Sequence, residues 1–333
     1  MSHQRADKKL RLKWVPDEDF GEALFVETGP QPFSEAVQAR AGGTLKGLSE
    51  IDIFKKANLP YILPEWRDWP DIIDLADKGL LPQPLSLDRI QGTVHVHTTY
   101  SDGADTLEAM AEAARAMGWK YLGIADHSAR AAYAGGLSVE RLLAQAEAIR
   151  VLNARYAGAF TLLHGVEADI LTNGDIDYEE SVWRELDYLV ASVHEKLHMT
   201  REEATQRLLR AVSSPYVRIL GHWTGRLLRG RSGYPIDELA IIEACATYDV
   251  AIEFNGNPYR MEIDWQWIRS AVAKGTSIVL TTDAHSVQEL AYLRYALPVL
   301  QKGLVPPQAL LNYQGADVFV SKSRRGVNSS PPI

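Results

Sequence analysis

Residues 92–103 read Gly92-Thr-Val-His-Val-His-Thr-Thr-Tyr-Ser-Asp-Gly103. Three side chains with metal-binding chemistry, His95, His97 and Asp102, fall inside this one stretch. The run from Thr93 to Thr98 alternates, and its valines favour an extended strand. On a strand, residues two apart project from one face, so His95 and His97 are expected to converge. Two such imidazoles can share one transition metal. A bare His-x-His is as readily an accidental surface pair. The rest of the chain argues otherwise, because other histidines recur at the ends of strand-like runs beside carboxylates.

Outward from this stretch, seven apolar, β-branched runs are spaced along the chain: Val94–Thr98, Tyr121–Ala125, Thr161–Val166, Leu186–Val193, Val217–Gly221, Val250–Phe254 and Thr276–Thr281. Helical patterns separate most of them. The first helix is expected to be capped by Asp105, with Glu108 in the reciprocal position and Gly118 at its end. Strands alternating with helices predict an α/β fold with a parallel sheet, and seven units favour a barrel over an open sheet. Residues 1–88 read differently, as a small α+β extension. It has a loose charged start to Asp19, a short strand at Ala23–Val26, helices over 33–40 and 71–78, and a proline-broken connector over 53–67. Pro82 and Pro84 mark a boundary near Leu85–Arg89. Residues 89–320 form the main domain, and the polar, proline-ended tail Ser321–Ile333 is expected to be disordered.

Composition narrows the class. The 333 residues are 46% hydrophobic and 23% charged, which is ordinary for a globular protein. A net charge of −8 excludes a protein that coats nucleic acid by bulk charge, while leaving room for a local basic patch. The single cysteine, Cys245, lies in an apolar helical pattern and reads as a core thiol, so no disulfide framework is expected. No apolar run reaches membrane-spanning length, and no signal-peptide core opens the chain. A soluble, cytoplasmic setting without membrane partners is the expectation.

The metal-type residues fall at the ends of the runs. They are His95, His97 and Asp102 on the first; Asp126-His127 on the second; Glu167 on the third; His194 on the fourth; His222 on the fifth; and Asp283-Ala-His285 on the seventh. Six of the nine histidines occupy such positions. In a barrel the C-terminal strand ends form one rim, where active sites lie. The nine candidate ligands are too many for one tetrahedral site. At three or four per ion they imply two or three divalent cations, and a set without cysteine suits Zn²⁺, Mn²⁺ or Fe²⁺. Glu167 is central enough in the order to bridge two of them. Clustered cations are a standard device for phosphate ester hydrolysis. They generate hydroxide near neutral pH and clamp the attacking and leaving oxygens.

These residues together resemble the PHP (polymerase and histidinol phosphatase) domain over about residues 90–320. Within it, Ile-Ala-Asp-His-Ser128, Glu167-Ala-Asp-Ile-Leu-Thr-Asn-Gly174, His222-Trp-Thr-Gly-Arg-Leu-Leu228, Asn255-Gly-Asn-Pro-Tyr-Arg260 and Thr-Thr-Asp-Ala-His-Ser286 are most similar to the C-terminal PHP domain of bacterial family-X DNA polymerases. The resemblance implies a distorted (β/α)7 barrel and three metals. One would be held by His95, His97, Glu167 and Asp283. A second would be held by Glu167, His194 and His222, and a third by Asp102, His127 and His285. It also implies a 3′–5′ exonuclease, with 3′-phosphatase or abasic-site activity in some relatives. More weakly, Leu24–Gly29 and Leu59–Arg67 resemble the palm end and connector of those polymerases. Before residue 90 the only Asp-x-Asp is Asp17-Glu-Asp19, in a charged, loop-like stretch, so polymerase activity is not expected. The chain is a stand-alone relative or a fragment.

A phosphodiester also needs cationic side chains. Arg226, Arg229 and Arg231 follow the fifth run, and the guanidinium fork matches phosphate oxygens. Arg226 is expected at the scissile phosphate, Arg229 or Arg231 at a neighbouring one, and Arg260 is a further candidate. Glu167, His222 and Arg226 are the residues expected to carry catalysis, by metal-hydroxide attack on phosphorus. Tyr100, Trp223 and Tyr259 could stack on a base. Asn255 and Asp126 could orient ligands. The expected substrate is single-stranded or 3′-end DNA. The alternative is a small phosphomonoester of the histidinol-phosphate type. A metallo-amidohydrolase fits the paired Asp-His elements poorly, and a non-catalytic scaffold would be expected to have lost ligands. Oligomeric state is left open.

Overall fold

The structure, a computed structural model, describes residues 12–320. The tail expected to be disordered, and the first residues of the charged start, lie outside the described residues. The chain divides into two compact units at Leu81/Pro82, a few residues ahead of the expected boundary.

The N-terminal unit is helical: α1 (Phe20–Glu27), α2 (Gln31–Ala41), α3 (Glu50–Lys56) and α4 (Ile72–Asp77), with no strand among its described residues. The strand expected at Ala23–Val26, and with it the α+β character of this part, is therefore corrected. A four-residue apolar run carries too little period to separate strand from helix. Packing decides it: α1 buries Phe25 against Phe33 of α2 and Phe54 of α3. Inside this aromatic group lies Arg67. Its fully buried guanidinium pairs with Glu50 at 2.7 Å and donates to Thr28 Oγ1 at 2.6 Å and to the Ile62 carbonyl. Phe25, Phe33, Phe54 and Tyr61 surround it at 5.2–5.8 Å. A buried charge is tolerated when its donors are matched in this way.

The second unit opens with β1 (Gly92–Val96), followed by α5 (Leu107–Ala116), β2 (Tyr121–Ile124), α6 (Val139–Tyr156), β3 (Thr161–Asp169), α7 (Glu180–Trp183) and β4 (Tyr188–Ser192). It continues with α8 (Arg201–Val212), β5 (Ile219–Leu220), α9 (Glu238–Tyr248), β6 (Ala251–Asn255), α10 (Trp265–Ala273), β7 (Ile278–Thr281) and α11 (Leu293–Lys302). Each strand pairs in parallel with the next, β1 through β7, in a nearly closed barrel with helices outside. Alternation along the strands builds two cores. Val94, Leu163, Val190, Ile219, Ala251 and Val279 cluster on one face. Leu122, Leu162, Leu189, Leu220, Ile252 and Leu280 meet the helices on the other. Phe319 packs on Tyr121 and Tyr188, the first residues of β2 and β4, and so covers the N-terminal end of the strands.

The helices begin where short polar side chains can accept from a free backbone N–H. Thr106, Ser138, Asp237 and Asp264 do so, and Thr200 with Glu203 completes a reciprocal capping box. Thr106, not Asp105, thus caps α5. The Asp105 carboxylate instead accepts from Val287 N–H at 2.8 Å and ties the loop after β1 to the loop after β7.

The seam between β1 and β7 is joined by a side chain. Asn312 is fully buried, donates to the carbonyls of Gly92 and Leu280 at 2.9 and 2.8 Å, and accepts from Leu280 N–H at 2.7 Å. An amide fits because it supplies donor and acceptor to two strand edges at once. Asn312→Ala is expected to lower the unfolding free energy by about 2–4 kcal/mol, since it strands buried backbone groups on both edges. Urea denaturation measures this, and an unchanged midpoint would show that the seam closes without the amide.

Candidate metal centre

The C-terminal ends of the strands converge on Glu167. It lies near the end of β3, its carboxylate fully buried, and five imidazole nitrogens surround it. His222 Nε2 is at 2.8 Å, His127 Nδ1 at 3.0 Å, His95 Nε2 and His194 Nε2 at 3.2 Å, and His97 Nε2 at 3.6 Å. Asp283 adds its Oδ1 at 3.1 Å from His97 Nε2. Asp102, half exposed, stands 3.3 Å from His285 Nε2 and 3.6 Å from His127 Nε2. The structure therefore brings all nine sequence-predicted ligands together.

Strand alternation alone does not produce the convergence. β1 ends at Val96, and His95 has a positive φ of 60° where the β1–β2 register shifts. Asp283 likewise sits at φ 51° just past β7. Left-handed conformations at residues other than glycine cost about 1–3 kcal/mol each and persist only where surrounding contacts impose them. Here His97 N–H donates to the Ala284 carbonyl at 2.8 Å, which locks the two turns together.

Three groups of donor atoms lie within 4.8 Å of one another: His95, His97, Glu167 and Asp283; His97, Asp102, His127 and His285; and His127, Glu167 and His194. The first reproduces one expected set, and the second contains another. In the remaining group His127 takes the place expected for His222, which nonetheless contacts Glu167 directly.

Carboxylates hold the ligands from behind. Glu253 on β6 meets His95 Nδ1 at 2.5 Å, and Asp169 at the end of β3 meets His194 Nδ1 at 2.9 Å. Neither was among the sequence candidates. The signal was present in their positions, two residues before Asn255 and two after Glu167, where strand period places them on the same face as the site. Asp126 accepts from Thr98 N–H and Oγ1 at 2.8 and 2.7 Å and from Gln145 Nε2 at 2.6 Å, fixing the turn that carries Asp102. Asn255 donates to Asp283 Oδ2 at 3.3 Å.

The charge balance follows from this packing. Burial disfavours ionised Glu167, but His194, His95 and His127 outweigh it and hold the carboxyl well below its ordinary range. Burial and its imidazole neighbours, with Arg260, act the same way on Asp283. Burial and the facing His127 and His285 push His97 down to about 4, so it is a neutral lone-pair donor. Against burial, Glu167 and Asp169 raise His194 to about 10, and Asp102 with Asp283 raises His285 to about 9.

The donor set fits divalent cations. His95 Nε2, both nitrogens of His97, His127 Nδ1 and Glu167 Oε2 are buried and form no hydrogen bond, although they lie close together. Buried polar atoms rarely go unpaired. Buried imidazole nitrogens and carboxylate oxygens that converge without hydrogen bonds are what a shared cation satisfies, and imidazole with carboxylate is the chemistry of a polynuclear site.

The arginines separate. Arg226 does not face the ligands. Its Nε donates to the Arg260 carbonyl at 3.0 Å, its Nη2 to the Met261 carbonyl, and Asp264 stands 3.6 Å from its Nη1. Arg260 does face them, with Nε 3.1 Å from Asp283 Oδ2 and a buried Nη1 that has no hydrogen bond. Arg229 and Arg231 are exposed. A cavity of about 450 Å³ runs from Asp283 and His285 past Arg260 to Tyr259 and Arg229. Trp223 is fully buried and unavailable for stacking, because its ring belongs to the helix-side core. Tyr100 is half-buried, while Tyr259 is 69% exposed.

Residues 93–269 match the model of the PHP domain family. The chain is 34% identical over 287 residues to the DNA polymerase/3′-5′ exonuclease PolX of Bacillus subtilis. That match covers 86% of this chain and 50% of the relative, so the chain spans half of that protein's length. It is 30% identical over 242 residues to a "Probable phosphatase" of Shewanella sediminis, across 70% of this chain and 93% of the relative. Among solved structures, a histidinol phosphate phosphatase from Lactococcus lactis complexed with zinc, L-histidinol and phosphate superposes with a TM-score of 0.50 at 17% identity. It covers 64% of this chain and 93% of that one, a likeness of fold. Seven strands ending on one buried histidine–carboxylate cluster, and a family match over more than half of the residues, place this chain in the PHP domain family of metal-dependent phosphoester hydrolases.

Proposed function

We propose that the protein is a 3′–5′ exonuclease acting on single-stranded or 3′-end DNA, with three divalent cations in its centre. The observation that supports a polymeric substrate is the open cavity leading from Asp283 and His285 past Arg260 to exposed Arg229 and Tyr259. A strand can enter such a mouth and leave it, with guanidinium groups along its phosphates. The extent of similarity to the Bacillus subtilis relative points the same way. A small phosphomonoester is the second reading, favoured by the cavity's volume, which is that of a small-molecule site, and by the similarity to the Shewanella protein.

In the proposed centre His95, His97, Glu167 and Asp283 hold one cation, Glu167, His194 and His222 a second, and Asp102, His127 and His285 a third. Bound cations of this kind lower the pKa of water and neutralise phosphoryl oxygens. Glu253 and Asp169 fix the rings of His95 and His194, so their free nitrogens face inward. Arg260 lines the cavity beside Asp283 and keeps Nη1 without a hydrogen bond, and it is the guanidinium we assign to a phosphoryl oxygen as charge develops. Arg226 keeps Arg260 in place by gripping the carbonyls of residues 260 and 261.

Three outcomes follow. His97→Ala or Glu167→Ala abolishes hydrolysis, and a Glu167→Ala protein that remains fully active with Mn²⁺ would refute the bridging role. Arg260→Ala lowers kcat/KM by about 10²-fold, more than Arg229→Ala or Arg231→Ala. The opposite ranking would move the phosphate to the exposed loop. Because His194 and His285 hold protons near neutral pH, cation binding must displace them. Affinity for Mn²⁺ therefore tightens about tenfold or more per unit between pH 6 and 8, and calorimetry that found a flat profile would contradict the ligand assignment. The substrate class is decided by a 5′-labelled single-stranded oligonucleotide with Mn²⁺, run beside a 3′-phosphorylated copy and histidinol phosphate. A ladder shortening from the 3′ end supports the exonuclease, and phosphate release alone supports the phosphomonoesterase.

A further inference from the structure

The loop between β2 and α6 carries a side chain that neither the barrel nor the ligand set uses. Tyr133 stands on a single 3₁₀ turn, Ala132–Ala134, and is 69% exposed. Its ring centroid is 6.3 Å from that of His127 and 6.4 Å from that of His194. It therefore lies directly beside two imidazoles of the centre, with one face open.

The loop beneath it is braced. Leu137 N–H donates to the His127 carbonyl at 2.9 Å, and Gly136 N–H to the Ala131 carbonyl at 3.1 Å. Arg141 donates to the Gly135 carbonyl at 2.8 Å, and Tyr178 holds Ala129 N–H at 3.2 Å and the Leu137 carbonyl. At Gly136 a Cβ would lie 2.0 Å from the Ser128 carbonyl oxygen, so the turn closes only around glycine. A loop this constrained presents its tip in one orientation. An exposed aromatic there gains nothing from the fold, whereas a preorganised ring next to reacting groups binds a planar ligand with little ordering cost.

We propose that Tyr133 is a specificity-determining platform that stacks on the nucleobase nearest the reacting phosphate. The assignment rests on the DNA-directed function proposed above and names the part of the substrate that the cations and Arg260 leave unrecognised. Base–aromatic stacking tolerates any sequence, as a sequence-independent exonuclease requires. Tyr259, equally exposed beside Asp283 and His285, offers a second ring on the flank defined by those residues.

The test compares wild type, Tyr133→Ala and Tyr133→Phe, each loaded with Mn²⁺. Substrates are a single-stranded oligonucleotide, thymidine 3′-monophosphate, and glycerol phosphate, which has no ring. In Tyr133→Ala the ratio of kcat/KM for the nucleotide to that for glycerol phosphate falls about tenfold or more, and Tyr133→Phe keeps the wild-type ratio. An unchanged ratio in Tyr133→Ala overturns the platform. Equal loss in Tyr133→Phe also overturns it, because the hydroxyl and not the ring face would then be acting. If wild type leaves the oligonucleotide intact while the ratio shifts as expected, the exonuclease function fails and the platform stands. A shortened oligonucleotide with an unmoved ratio gives the reverse. An unaltered melting temperature of Tyr133→Ala separates loss of the platform from misfolding of the variant.

Discussion

One buried carboxylate organises the domain. Glu167 is enclosed by five imidazoles at 2.8–3.6 Å. A carboxylate taken out of water is strongly destabilised unless opposite charge or matched donors surround it. The imidazoles meet that need only in part, because several of their nitrogens converge on the carboxylate without forming a hydrogen bond. A divalent cation would make the whole set mutually favourable at the mouth of an apolar barrel.

The rest of the architecture delivers side chains to this point. Parallel strands place their C-terminal ends together, and these ends with the loops that follow carry the candidate ligands. Where strand geometry would misdirect a side chain, the backbone departs from it, as at His95 and Asp283, and neighbouring contacts hold the departure. Glu253, Asp169 and Asp126 add a layer that fixes rings and turns. Asn312 joins the strand edges on which His95 and Asp283 depend. Arg226 acts at one remove, through the carbonyls of the segment that carries Arg260.

Much of this was legible in the chain. The β-branched runs locate all seven strands within a few residues, because strand preference and burial agree along them. The nine candidate ligands stand out because histidine and carboxylate at strand ends have no packing reason to recur. Other features depended on partners far away in sequence. Ala23–Val26 is helical because Phe25 finds Phe33 and Phe54. Trp223 follows a ligand directly yet turns into the core. Arg226 and Arg260 differ in role although both follow strand-end motifs closely in sequence, because a guanidinium reaches far enough to bond either loop carbonyls or the site. Tyr133 lacked any distinguishing neighbour in sequence, and only the folding of its loop over His127 and His194 marks it.

The sequence by itself determined the α/β barrel, the residues that meet at its rim and the hydrolytic, metal-dependent chemistry they suit, since these follow from local periodicity and from side-chain chemistry at fixed positions. Tertiary structure alone decided which carboxylates orient which imidazoles, which arginine faces the cavity and where aromatic rings stand exposed. Those outcomes turn on distances between segments that local preference does not encode, and on the competition of each long side chain among several partners.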